Sequence, residues 1–281
     1  MEGGWLSSSL SGLSLSGVIL ALFLCMLTAA LAGYGARQLQ RRWTSGRDQS
    51  GGNQESYLVG AMLGLLALLL AFSFSMAVDR YEERRHLVVA EANAIGTAYL
   101  RAQLLDQPHR ARLSQLLVDY TENRIALASA SPDRLEPQLA ENDRQLTTIW
   151  AAVAAARDSA RAQGISTPLL LAFNQLIDLD TERKVARQVR VPQPVLLLLL
   201  SFLVLTAAVL GFVLEGRRAW VHGIVLFLLL SLYVGIIADL NRPTSGNITE
   251  SQEPMLMLRQ SLKSQPSGAF DRFAAPGNPG S

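Results

Sequence analysis

Four stretches of this chain carry no charged side chain: Gly3 to Ala36, Ser56 to Val78, Val191 to Leu214, and Ala219 to Ala238. Each is near or above the roughly 20 residues an α-helix needs to cross a ~30 Å hydrocarbon layer. A charge at the centre of such a helix costs about 2.5–3.5 kcal/mol on insertion scales, so gaps of this length predict membrane spans. The expected spans are about Gly17–Ala36, Tyr57–Val78, Val195–Leu214 and Ala219–Ala238. Burying four such runs inside a soluble protein would leave too little polar surface to solvate it, given that 49% of residues are hydrophobic and 17% charged. The first run is preceded by MEGGWLSSSLSG, which has no Lys or Arg. It therefore lacks the positive flank of a signal peptide and is expected to stay as a span, although Ala30-Leu31-Ala32 resembles a small-residue cleavage site.

Between the first two spans, ARQLQRRWTSGRDQSGGNQES is polar and Gly/Ser-rich and reads as a loop. Between the second and third lies a long region with helical periodicity and no strand-like alternation. Asp79–Leu105 should continue the second span, because no Gly or Pro interrupts Leu65 to Ile95, and stop at Asp106-Gln107-Pro108. Val88, Ala92, Ile95 and Tyr99 then share one packing face. His109–Ala130 is the next expected helix, with Leu113, Leu116, Leu117 and Tyr120 on one side. A helix from about Asp133, or from Leu139 if Pro137 delays it, should run to Gln163 and be capped by Gly164. Thr167-Pro168 opens a last helix to about Arg190, and Pro192 and Pro194 precede the third span.

The fold class expected is all-α: a four-span helical membrane protein with a helical extramembrane domain inserted between spans two and three. The parts are residues 1–78 (N-terminal tail and two spans), 79–190 (helical domain), 191–240 (spans three and four) and 241–281 (C-terminal tail). Such a helix would carry span two out of the membrane and couple it mechanically to the helical domain. That domain has 15 basic and 15 acidic residues from Asp79 to Arg190, which predicts ion-paired helical faces and no strong electrostatic funnel. For orientation, the short loops carry Arg37, Arg41, Arg42, Arg47, Arg217 and Arg218, against Arg242 and Arg259 on the opposite side. The positive-inside tendency places both short loops in the cytoplasm and the helical domain on the outer, periplasmic side of a bacterial inner membrane.

Three pieces of the sequence resemble the bestrophin-like domain family of bacterial membrane proteins: FSFSMAVDRYEERRHLVVAEANAIGTAYLRAQLL, NQLIDLDTERKVARQ and DLNRPTSGNITESQEPMLMLRQSL. The resemblance extends from about Tyr57 to Leu262. That family is named for its similarity to bestrophins, oligomeric anion channels, so the resemblance implies a homo-oligomer in a lipid bilayer with anions as the permeant species. In bestrophins an apolar second-span helix ends in an Arg-aromatic pair, matched here by Arg80-Tyr81. Bulky apolar residues one turn apart form a narrow neck there; by resemblance Phe72 is its last position and Leu68 the one before, while Gly64 departs from the pattern. Calcium-sensing members have an acid-rich segment after the last span, where this chain has only Glu250 and Glu253. Bestrophins keep the middle region in the cytosol, opposite to the loop-charge reading above.

Leu68, Phe72 and Met76 lie at i, i+4 and i+8 on one helix face. A ring of them could gate by dewetting; the same spacing serves packing against lipid or another span. Ser73 and Ser75 either line a wet path or bond back to carbonyls one turn earlier. Asp79 and Arg80 at the end of span two, and Asp239 and Arg242 at the end of span four, are candidates for ion pairs at the membrane edge, with Asp239 paired to Arg80. Glu91, Asn93 and Thr97 are polar positions on an otherwise packing helix, suited to hydrogen bonds.

No catalytic set is visible: there is no GxSxG turn, phosphate-binding Gly loop or HExxH, and the single cysteine is Cys25, so an enzyme is not expected. His86, His109 and His222 are far apart and lack metal-ligand spacing, so no metal or cofactor is expected. A formal net charge of +2 gives no sign of a nucleic-acid partner. Two functions remain: an oligomeric ion channel, selective for anions by resemblance, and a non-conducting membrane scaffold or sensor whose helical domain binds a partner.

Overall fold

The computed structural model of the chain describes residues 14–43, 52–242 and 246–271. Among these, nine α-helices and no strands occur. They are α1 (Leu15–Trp43), α2 (Gly52–Ala102), α3 (His109–Ala128), α4 (Pro132–Ala155), α5 (Arg157–Ala162), α6 (Ser166–Gln188), α7 (Gln193–Val213), α8 (Gly216–Leu240) and α9 (Glu253–Ser264). Four stretches, Leu15–Trp43, Tyr57–Ala102, Ser166–Val213 and Gly216–Leu240, contain a helical run long and apolar enough to cross a membrane. The apolar part of the third follows Pro192, where α6 gives way to α7.

The chain divides into two compact units. Unit 1 comprises residues 1–82 and 189–249. In it α1 packs against α7 and α8. Its core contains Met26, Leu66, Leu70, Leu199, Leu203, Phe227 and Ile237. The helices α1 and α7 approach closely because small residues meet: a Cβ on Gly33 would fall on the Ala208 carbonyl, and one on Gly211 on the Ala30 carbonyl. Without a hydrophobic driving force in lipid, such backbone proximity is how spans gain van der Waals contact. The end of α1 meets the α7–α8 turn, where Arg37 donates to the Val213 carbonyl at 3.3 Å and both Arg37 and Arg41 pair with Glu215. At the other end, the Val191 amide donates to Asn241 Oδ1 at 2.8 Å, joining the start of α7 to the end of α8.

Unit 2 comprises residues 83–188 and 250–281. Its core contains Val88, Ala92, Ile95, Tyr99, Leu113, Leu117, Tyr120, Ile149, Phe173 and Leu176, so both expected packing faces are buried, with Leu116 at the margin. Helix α2 runs unbroken for 51 residues. At 1.5 Å per residue its contour is about 75 Å, well beyond any bilayer core. It ends in turns at Gln103–Leu105, just ahead of Asp106-Gln107-Pro108.

Two local expectations differ. Helix α4 starts at Pro132 and accommodates Pro137, whose missing N–H forfeits one bond near the helix start instead of delaying it. The run expected to reach Gln163 unbroken is offset at Ala156 (φ −83°, ψ 6°), separating α4 from α5; no residue there signals a break. Gly164 (φ +68°) does cap α5. The Ile165 amide bonds Ala160 at 2.9 Å and the Gly164 amide bonds Arg161 at 3.1 Å, the two bonds of a Schellman turn. The C-terminal residues 241–281, expected as a tail, hold α9, which packs on α3 within unit 2 and buries Met255 and Leu262. Helix α9 is fastened by Glu122, which pairs with Arg259 at 3.4 Å and Lys263 at 2.9 Å, and by Tyr99 donating to the Gln265 carbonyl at 2.6 Å.

Candidate functional site

In unit 1, the face of α2 that does not pack is a continuous stripe. Leu65, Leu68, Phe72, Ser75 and Asp79 are all exposed, at alternating steps of three and four, while the intervening Leu66, Leu70, Ser73 and Ala77 are buried. This spacing keeps one line of side chains on one side of a helix. Leu68 is 57% and Phe72 67% exposed, as outward-facing residues of the other spans such as Leu20 and Leu229 are. Met76 is half-buried against the other helices of the unit, and Ser75 carries the exposed line instead. The stripe therefore changes from apolar at Leu65–Phe72 to polar at Ser75 and Asp79.

The two edge carboxylates behave differently. Asp79 and Arg80 are both exposed. Asp239 is buried and accepts from the Asn247 amide at 2.8 Å and the Ile248 amide at 2.9 Å. The expected Asp239–Arg80 pair is absent: two backbone donors of the turn after α8 satisfy the carboxylate without a cation. Arg242 lies half-buried just past α8, and its carbonyl accepts the Gly246 amide at 3.2 Å.

Unit 2 contains a second polar constellation, buried among four helices. Glu91 of α2 is fully enclosed. Its Oε1 accepts from the Tyr120 hydroxyl at 2.8 Å, and its Oε2 accepts from Arg124 at 3.1 Å and also from Arg183. Arg124 Nε lies 2.9 Å from Glu91 Oε1 without being aligned to donate. Asp180 Oδ1 accepts from Asn142 at 2.8 Å and from Arg124 at 3.1 Å. Its other oxygen lies 2.6 Å from Lys184, which also pairs with Asp143. Burial pushes the Glu91 carboxyl up, but the fields of Arg124 and Arg183 outweigh it and hold the group below its ordinary value. Burial, with Glu91 beside it, pushes the Tyr120 hydroxyl well up, so it stays a neutral donor.

Of the polar positions singled out on α2 from sequence, Glu91 is central to this cluster, whereas Asn93 and Thr97 are exposed. Sequence reasoning missed Arg124, Asn142, Asp180 and Arg183. The signal existed for three of them. Arg124 continues the buried line Leu113, Leu117, Tyr120, and Asp180 and Arg183 continue Phe173, Leu176, each at steps of three or four. A charge in register with a buried stripe implies a partner charge. Among the described residues no group of His, Cys, Asp and Glu is arranged to hold a metal ion.

Helices too apolar for water, arranged with small-residue contacts, define an integral membrane protein of all-helical type. The chain belongs to the bestrophin-like family: the model of the bestrophin-like domain matches residues 18–255. Its fold is that of bacterial bestrophin homologues from Klebsiella pneumoniae. One solved structure, a single-site variant, superposes with a TM-score of 0.62 at 15% identity, covering 92% of this chain and 99% of that one. Another, phased on zinc, gives 0.59 at 17% identity over 90% and 96%. Identities this low speak for the fold alone. No curated protein matches the sequence.

Proposed function

We propose that this chain forms an oligomeric ion channel, selective for anions, in which copies surround an axis lined by the first half of α2. What carries the reading is the uncovered stripe on α2 of a bestrophin-like chain: Leu68 and Phe72 stand out from the protomer in line with Ser75 and Asp79, so one face of the helix passes from apolar to polar as a pore lining does. Around an axis, Leu68 and Phe72 would form an apolar constriction that opens or closes by wetting, with Met76 on its flank. Below it, Ser75 supplies hydroxyls to a hydrated vestibule. Asp79, Arg80, Asp239 and Arg242 then mark one membrane face, with Asp79 and Arg80 cancelling each other's field as an interfacial pair. The helical unit is a domain inserted between spans two and three, on the periplasmic side by loop charge.

Reconstitution in planar bilayers tests conduction. Single-channel currents carried by chloride, increased by Phe72→Ala, are the expected result. Silence from a well-formed oligomer would sink the proposal and favour a scaffold or sensor. With Cys25 replaced, Ala130→Cys should label from the periplasm and Arg217→Cys from the cytoplasm; the reverse pattern inverts the orientation.

A further inference from the structure

Within unit 2 a small crevice lies between α2, α6 and the chain leading into α9. It is lined by Arg84, Leu87, Val88, Arg183, Ala186, Arg187 and Glu250. Two of its three guanidiniums are already matched. Arg84 pairs with Glu250, both nearly enclosed, and Arg183 pairs with Glu91 behind the crevice. Arg187 is half-buried and has neither an ion pair nor a hydrogen-bond partner among the described residues. Arg187 thus lines the crevice without a carboxylate of its own among the described residues.

We propose that this crevice is a binding site for one halide-sized monovalent anion, held by Arg187 with Arg84 and Arg183 beside it. The space open to the centre of a water-sized sphere is about 10 Å³. That is about the room one water needs, so the enclosed part of the crevice takes a single small ion. Leu87, Val88 and Ala186 supply apolar walls, which weaken competition from water and raise the field of the bare guanidinium. The energetic consequence of the vacancy in charge is visible in Arg187 itself. Burial first, then repulsion from Arg183 and Arg124, push its guanidinium down to about 10. A monovalent anion is the ligand that cancels this imbalance. The crevice belongs to unit 2 and the α2 stripe to unit 1, and the proposal holds whether or not the protein conducts.

The test uses full-length protein in detergent, heated in sodium bromide and in sodium gluconate at equal ionic strength. Bromide should raise the unfolding temperature of wild type by about 3 °C at tenfold saturation. Arg187→Gln should abolish that difference while leaving the protein folded in gluconate, because it removes an unmatched charge. Crystals grown in bromide should show an anomalous peak against the Arg187 guanidinium. Equal unfolding temperatures in the two salts would overturn the proposal, as would a bromide effect that persists in Arg187→Gln. If Arg187→Gln does not fold, the anomalous map of wild type decides alone: density without bromide signal means a water, and the site is refuted.

Discussion

Glu91 shows how much one side chain can hold. It accepts from three partners on two other helices and is fully enclosed. Removing its charge strands the buried Arg183 guanidinium and leaves Arg124 with Asp180 alone, so Glu91→Gln should cost about 3–5 kcal/mol in denaturant unfolding of unit 2. The pH dependence has a defined direction. The unfolded carboxylate takes up its proton near its ordinary 4.5, before the folded one does. The stability Glu91 contributes is therefore complete above that pH and is lost as pH falls through the lowered folded value. Unfolding midpoints from pH 7 to 3 should drop for wild type and stay flatter for Glu91→Gln. In the apolar unit, Gly211→Val should force α1 and α7 apart, since its Cβ has no space against the Ala30 carbonyl; loss of detergent-resistant folding checks it. These two positions differ in legibility. A carboxylate in a buried register is readable from spacing alone, whereas Gly211 resembles any other glycine in an apolar run until its partner helix is known.

At the level of helices, the long α2 was the most legible element because it obeys one rule throughout: no Gly or Pro from Leu65 to Ile95. The four charge-free runs were equally legible, since insertion cost forbids charges whatever the tertiary partners. Helix α9 was not read. Its twelve residues begin with Glu253-Pro254, a good start signal, and include five Met or Leu, but its stability comes from Met255 and Leu262 entering a core built by other helices. Propensity alone leaves a helix of this length marginal in water. Met255→Ala should accordingly destabilise unit 2 by about 2–5 kcal/mol, as other large-to-small core changes do. Hydrogen exchange should show α9 amides opening in the mutant well before those of α3. The exposed stripe on α2 was half legible: Leu68 and Phe72 follow from a four-residue step, but the turn to Ser75 instead of Met76 depends on which neighbours cover the helix.

For the molecule as a whole, the protein is expected to remain with membranes through alkaline carbonate washing and to need detergent for release; recovery of a monodisperse particle without detergent would overturn the membrane assignment. The two units draw on alternating parts of the chain, 1–82 with 189–249 and 83–188 with 250–281. The core around Tyr99 and Leu113 closes over Met255 and Leu262, which follow all four apolar spans in the chain. All four spans must leave the ribosome before that slot is filled. A message truncated between Thr249 and Met255 would encode every apolar span yet deliver a protein with an open seam in its charged half, a ready target for proteases.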